Sequence, residues 1–416
     1  MDALPSSTFC FVEPADNASC CWMKENEEEL EKAIGAEDTL SVNSQEVKSS
    51  AAGWMLALSP FLKRTASGVS SRTGQHRLWK APKINIPETA PLGEGAELKK
   101  CRWFFMKMSA TEESKSGQER FLEEMKRVQA EAKSKTREEL LMIYKGISYP
   151  SCICSEQTFQ ALESFEARED DLLIVTYPKC GTNWVIGILH EMLFFINGKE
   201  PTIDQAIIEF GKPEKVQILK EASSPRVFAT HLNYKDIPKS FLEKKVKILL
   251  ILRNPKDTGV SYFHFCNNNP VLPSYDSWDL FFDDYINGKV CYGSFFDHNV
   301  AWGEHIDDEN IMAITFEDMK LEYATYLKKI SDFFGLSLSE EQLKVIENKT
   351  TFKSMKENSE GTHGKLGNTF FRKGEIGDWK SLFTEAQSKD VDAKFEQHLA
   401  GTKLGEKLNY KKYCEY

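Results

Sequence analysis

A run of apolar residues that ends in a glycine-containing loop and opens straight into an amphipathic helix restricts a chain to few architectures. Here the run is Leu172 to Tyr177, the loop is Pro178-Lys179-Cys180-Gly181, and the helical pattern continues through Trp184, Ile188, Leu189, Met192 and Phe195. The run is nearly continuous in apolar residues, as a strand covered on both faces must be. Further β-type runs lie at Arg226 to Ala229, Val246 to Leu252 and Ile311 to Phe316, and helical stretches follow each. Strands alternating with helices predict an α/β fold: one P-loop-like, three-layer domain around a central parallel sheet, with the first and third runs as central strands. No repeat of fixed period occurs, which excludes solenoids and propellers.

The 416 residues fit one large domain with an extension. Residues 1–110 form the extension. They carry an acidic run from Lys24 to Glu31, a serine-rich basic stretch from Lys63 to Lys83, and turns at Pro82, Pro87 and Pro91. With no sustained periodicity, this part is expected to be irregular or disordered, although Trp54, Trp79 and Trp103 leave room for short docking elements. From Glu119 the pattern turns helical, with Phe121, Leu122, Met125, Val128 and Ala132 on one side. The domain is therefore assigned to 111–416, and Met108 marks a place where a catalytic protein preceded by an alternative leader would begin.

Net charge is −10, which argues against a general nucleic-acid binder, so any anion site is local. No apolar stretch approaches the roughly 20 residues of a membrane helix, and no N-terminal signal pattern is present. Ten cysteines without zinc-ligand spacing point to a cytoplasmic chain with free thiols, Cys152 and Cys154 included, and to no metal site.

The loop has its own chemistry. A strand, a tight glycine turn and a helix N-terminus aim backbone N–H groups and the positive helix end at one spot, where an anionic phosphate fits. Lys179 adds charge, Thr182 a hydroxyl donor, and Trp184 a flat face for a purine. The order of residues is not that of a Walker A loop, since Lys179 precedes Gly181. Taken alone, the loop is also compatible with an ordinary strand–turn–helix carrying an exposed lysine. A second strand end, Leu252-Arg253-Asn254-Pro255-Lys256-Asp257, leads into a helix with Ser261 two turns on. Arg253 and Ser261 at the carboxyl edge of the sheet suit a second phosphate. A third, basic and glycine-rich loop runs from Phe370 through Arg372, Lys373 and Gly374 to Lys380 and can close over an anion.

In this order and spacing the three segments resemble the cytosolic sulfotransferases, the 6B subfamily most, from about residue 112 to the C-terminus. The resemblance implies 3′-phosphoadenosine 5′-phosphosulfate (PAPS) as co-substrate, no metal, and a small-molecule hydroxyl or amine acceptor. It assigns Lys179, Cys180, Gly181, Thr182, Asn183 and Trp184 to the 5′-phosphosulfate, and Arg253, Ser261, Arg372, Lys373 and Gly374 to the 3′-phosphate. Trp184 and Phe352 would sandwich the adenine, with Thr351 and Met355 along its edge. His231, in Ala229-Thr230-His231-Leu232-Asn233, takes the place of the family's base, where a near-neutral imidazole removes the acceptor proton. Lys179 would stabilise charge on the departing oxygen. The aromatic stretches Tyr262–Phe265 and Tyr292–Phe296 would border the acceptor.

Several positions depart from the family pattern. Ala229 stands where a second lysine is common, Phe316 where a tyrosine is usual, and Cys180 in place of serine. Beside Lys179 at a helix N-terminus, the Cys180 thiol is expected to have a depressed pKa and to be open to oxidation. The dimer motif reads Lys380 to Lys389 with Glu385 and Lys389 altered, which leaves monomer and weak homodimer open. His190 and His264 are expected to be structural. Besides sulfonate transfer, two alternatives stay open: a kinase-type phosphoryl transferase, and a nucleotide-binding protein of the same fold with little or no turnover.

Overall fold

The computed structural model describes residues 121–198 and 206–415. The expected extension over 1–110, its tryptophans and Met108 lie outside the described residues. Helix α1 covers residues 121–132. An antiparallel hairpin follows, β1 (Leu141–Tyr144) and β2 (Ile147–Pro150). Its two turn residues, Lys145 and Gly146, both have positive φ (49° and 81°), the backbone twist that tight hairpins favour.

The four apolar runs form one parallel sheet of β3 (Leu172–Thr176), β4 (Val227–Thr230), β5 (Lys247–Leu252) and β6 (Ile311–Thr315). The spatial order is β4-β3-β5-β6, so the first and third runs are the central strands, as their uninterrupted apolar character requires. Alternation splits the side chains between two cores. Leu173, Val175, Ile248 and Leu250 face one layer of helices, and Leu172, Ile174, Leu249 and Ile251 face the other. The second layer is led by α2 (Thr182–Asn197), which buries Trp184, Ile188, Leu189 and Met192. The first contains α3 (Pro255–Asn268) and α4 (Phe295–Gly303), through Val260, Tyr262, Phe295 and Trp302.

At the amino edge of the sheet, Arg226 and Asp171 form a bidentate pair, at 2.7 and 2.5 Å, with both side chains almost fully buried. Removing one partner from such a pair typically costs about 3–5 kcal/mol, because the other charge stays buried. At the carboxyl edge the topology has a switch point. The chain passes from β3 to β4 on one side and then crosses to β5 on the other, which opens a crevice between the ends of β3 and β5.

The C-terminal third closes over that crevice. Helix α5 (Glu340–Thr350) packs on α2, and the short α6 (Phe352–Glu357) follows it. The basic loop is pinned to the first turn of α3, since Asp257 accepts from the N–H groups of Gly377 (2.8 Å) and Trp379 (2.9 Å). The neighbouring Lys256, fully buried, bonds Ser388 on α7 (Glu385–His398) and the Cys414 carbonyl. The Arg-Asn-Pro-Lys-Asp motif therefore carries two positioning residues, Lys256 and Asp257, besides Arg253.

Candidate active site

Lys179 and Gly181 both sit at positive φ, 71° and 116°, so the chain turns sharply between β3 and α2. Only glycine takes φ near 116° without strain, and a Cβ there would also meet the Phe316 ring at 3.3 Å. Gly181 is the N-cap of α2 and contributes no side-chain cap, so the first-turn N–H groups face the crevice as an anion cradle.

The same strand end holds the imidazole. His231 Nδ1 lies 2.9 Å from the Thr176 carbonyl and 3.1 Å from the Thr176 hydroxyl, which is itself 2.7 Å from the Thr182 hydroxyl. A carbonyl only accepts, so Nδ1 carries the proton and Nε2 is left as the basic nitrogen. Burial pulls the His231 pKa down to about 4, helped by the Lys179 charge and opposed by the Thr176 carbonyl. This corrects the expectation of a near-neutral pKa: the ring is neutral because it is buried and stays so well below pH 7.

Lys179 Nζ sits 3.7 Å above the Phe265 ring and 5.8 Å from the Phe370 centroid. Burial, and after it the Arg253 charge, lowers its pKa to about 7. Arg253 spans the switch point, donating to the Lys179 carbonyl at 3.0 Å and the Glu375 carbonyl at 3.1 Å, with its guanidinium 4.3 Å from the Phe316 ring centre. Arg372 and Lys373 converge on Asp378 at 2.5 and 2.6 Å, and Gly374 lets the loop run against the Phe352 ring, where a Cβ would come within 2.5 Å.

One cavity of about 1070 Å³ collects these groups. Lys179, Gly181, Thr182, Asn183, Trp184, His231, Arg253, Ser261, Phe352, Arg372, Lys373 and Gly374 all line it. Three expected cofactor residues do not. Cys180 turns into the core, its sulfur 3.8 Å from the Thr258 hydroxyl, and burial pushes its thiol up to about 12. The expected depressed pKa is therefore wrong: desolvation outweighs Lys179 and Arg253. Thr351 spends its hydroxyl capping α6, accepting from the Ser354 N–H at 3.1 Å. Met355 packs on Gly187, where a Cβ would come within 2.5 Å of its methyl.

Beyond His231 the apolar side chains of Val128 of α1, Ile153, Ile207, Phe210, Val271 and Leu272 line the cavity, together with polar and charged residues such as Glu124, Arg127, Lys212 and Lys215. Of the aromatic stretches, Tyr262, Phe265 and Tyr292 line it, whereas Phe295 and Phe296 belong to the core. His190 and His264 do not reach it. Ala229 is buried under α2, and Phe316 lines the cavity edge-on to Trp184. Reading the sequence missed α1 and the stretch 206–211 as walls. The one available signal was Glu209, a single charge inside the apolar run Ala206–Phe210. Among the described residues, no group of three or more His, Cys, Asp or Glu side chains is placed to hold a metal ion.

An anion cradle and a crossing arginine at the switch point, with a neutral imidazole beside them, define an α/β transferase-type site suited to a phosphorylated ligand. A family model for the sulfotransferase domain matches residues 169–403. Sulfotransferase 6B1 of Mus musculus is 48% identical over 284 residues, covering 68% of this chain and 94% of that protein. Sulfotransferase 6B1 of Danio rerio is 45% identical over 291 residues, covering 70% and 98%. The crystal structure of mouse sulfotransferase SULT7A1 complexed with PAP superposes with a TM-score of 0.58 at 37% identity, covering 65% of this chain and 98% of that one. The chain belongs to the sulfotransferase domain family, and its reaction is sulfonate transfer.

Proposed function

We propose that the chain moves a sulfonate group from PAPS to the hydroxyl or amine of a small organic acceptor, within a catalytic domain spanning 111–416. The placement of His231 carries this reading: it hangs by Nδ1 from Thr176, the last residue of β3, which leaves Nε2 as the basic nitrogen. The solved neighbour SULT7A1 is complexed with PAP, which supports the donor. The cradle residues Gly181 to Trp184 and Lys179 would hold the 5′-phosphosulfate. Arg253, Ser261, Arg372 and Lys373 would hold the 3′-phosphate, and Trp184 with Phe352 the adenine.

His231 Nε2 takes the acceptor proton as the acceptor oxygen attacks sulfur, and the sulfur–oxygen bond to the 5′-phosphate breaks. Lys179 meets the charge that develops on the leaving oxygen, and its pKa rises once an anion sits beside it. The apolar side chains of the wall suit an apolar or aromatic acceptor.

The reading includes a cytoplasmic location. It is supported by the free thiols of Cys152, Cys154, Cys180, Cys266, Cys291 and Cys414, as expected in a reducing compartment. Among the described residues no helix is long and apolar enough to cross a membrane. For the altered dimer segment we propose a monomer or weak homodimer, because Lys389 pairs with Glu385 on its own helix and the Thr384 hydroxyl caps that helix.

The test is transfer of radiolabelled sulfonate from PAPS to a panel of phenols, alcohols, steroids and amines. Labelled product, lost in Lys179→Ala, is expected; tight binding of the bisphosphate with no product from any acceptor would overturn the proposal.

A further inference from the structure

Glu209 is a fully buried carboxyl group that the reaction itself does not use. Its segment runs parallel to β4 as a short extra edge: Ile208 N–H donates to the Ala229 carbonyl at 3.0 Å, and Ala229 N–H donates to the Ala206 carbonyl at 2.6 Å. The β4 ladder stops at Thr230, so the N–H groups of His231 and Leu232 emerge into a buried region without a strand to receive them. The Glu209 side chain meets that need. Oε1 accepts from His231 N–H at 2.8 Å and Oε2 from the Thr230 hydroxyl at 2.9 Å, while the Thr230 oxygen accepts from Leu232 N–H at 3.1 Å. Its neighbours Ile207 and Phe210 line the cavity, and the Phe210 ring centre lies 6.3 Å from that of His231. One carboxylate thus joins the acceptor wall to the backbone of the base.

We propose that Glu209 is a positioning residue for sulfonate transfer: its ionised carboxylate fixes the end of β4 so that His231 stays hung on Thr176 with Nε2 aimed at the acceptor. The proposal rests on the reading of His231 as the base. The groups that face Glu209 are Lys215, whose Nζ donates to the Ile207 carbonyl, the Thr230 hydroxyl, the His231 backbone, and Tyr149, Cys154 and Tyr292. Burial raises the Glu209 pKa to about 7, against the hydrogen bonds from His231, its own backbone and Thr230, and against Lys215. Below that pH one carboxyl oxygen gains a proton and the clamp loses an acceptor. His231 itself takes a proton only near pH 4, so the two titrations are separable.

The experiment is the pH profile of kcat for the full chain between pH 5 and 8.5, in wild type, Glu209→Gln, Glu209→Asp and Thr230→Val. In wild type kcat falls as pH drops through about 7. Glu209→Gln keeps one of the two acceptors at every pH, so its kcat is about tenfold lower than the wild-type plateau, as expected for one lost buried hydrogen bond. That variant also loses the limb near neutrality, and bisphosphate affinity and the Km for PAPS stay unchanged. Glu209→Asp restores part of kcat together with a pH-dependent limb, and Thr230→Val moves the limb up by removing a donor to the carboxylate. A Glu209→Gln enzyme with wild-type kcat and an unaltered limb overturns the proposal, as does one whose kcat and bisphosphate affinity fall together. Should Glu209→Gln fail to fold, a wild-type profile flat from pH 8.5 to 5 overturns it by itself. If His231→Ala keeps full turnover, the base assignment fails instead, and the two failures are told apart.

Discussion

The two halves of the cavity are built in different ways. The half proposed to hold the donor is mostly backbone: a turn with two left-handed residues, a helix N-terminus without a side-chain cap, and an arginine gripping two carbonyls. The half proposed for the acceptor is mostly side chain, gathered from α1, the stretch 206–211 and residues 269–272. A backbone-built anion site needs a fixed local sequence, whereas an apolar wall needs only volume and exclusion of water. The first is therefore a contiguous motif and the second is scattered. The comparison predicts that changes in the donor half act on nucleotide affinity, and changes in the acceptor half on acceptor recognition alone.

The largest effect that can break this division is Gly181→Val. A β-branched residue at φ 116° costs about 1–3 kcal/mol of strain and drives its side chain at Phe316, so bisphosphate affinity should fall roughly 10- to 100-fold in a calorimetric titration. Next is Arg253→Ala, which removes a guanidinium that ties the Lys179 carbonyl and is proposed to hold the 3′-phosphate. Loss of about 1.5–3 kcal/mol is expected in the same titration, and it should shrink with added salt. On the other side, Phe210→Ala should raise the acceptor Km by about tenfold and leave the bisphosphate affinity unchanged. Equal losses on both readouts would erase the distinction between the halves.

The smallest effect sharpens it through pH. The His231 pKa is lowered from 6.5 to about 4, so the folded state binds fewer protons and stability is lost as pH falls from 6.5 to 4. The Glu209 pKa is raised from 4.5 to about 7, so its contribution has the opposite sign: stability is lost as pH rises from 4.5 to 7. Melting temperatures across this range should fall less steeply toward acid in His231→Ala and fall less toward neutrality in Glu209→Gln than in wild type.

The same contrast explains what could be read from the chain. All four strands of the sheet and their central pair follow from apolar runs, and the crevice follows from the order in which they pair. The cradle and Arg253 were readable because backbone geometry there leaves its mark as glycine position and strand-end charge. Cys180, Thr351 and Met355 were assigned by the family resemblance, yet the direction of a side chain at a turn or cap depends on what it packs and bonds against, here Thr258, Ser354 and Gly187. The pKa of His231 could not be read at all, since burial sets it. Glu209 left one trace, a charge among apolar residues, whose partner Thr230 lies 21 positions on.

The central claim is that donor binding and proton removal reside on separate groups at one strand end. The most direct test measures bisphosphate affinity and the sulfonate-transfer rate side by side in His231→Ala. The account predicts affinity within about twofold of wild type and a rate lower by roughly 100-fold or more, as removal of a general base requires. A rate close to wild type, or an affinity that falls in step with the rate, would contradict it.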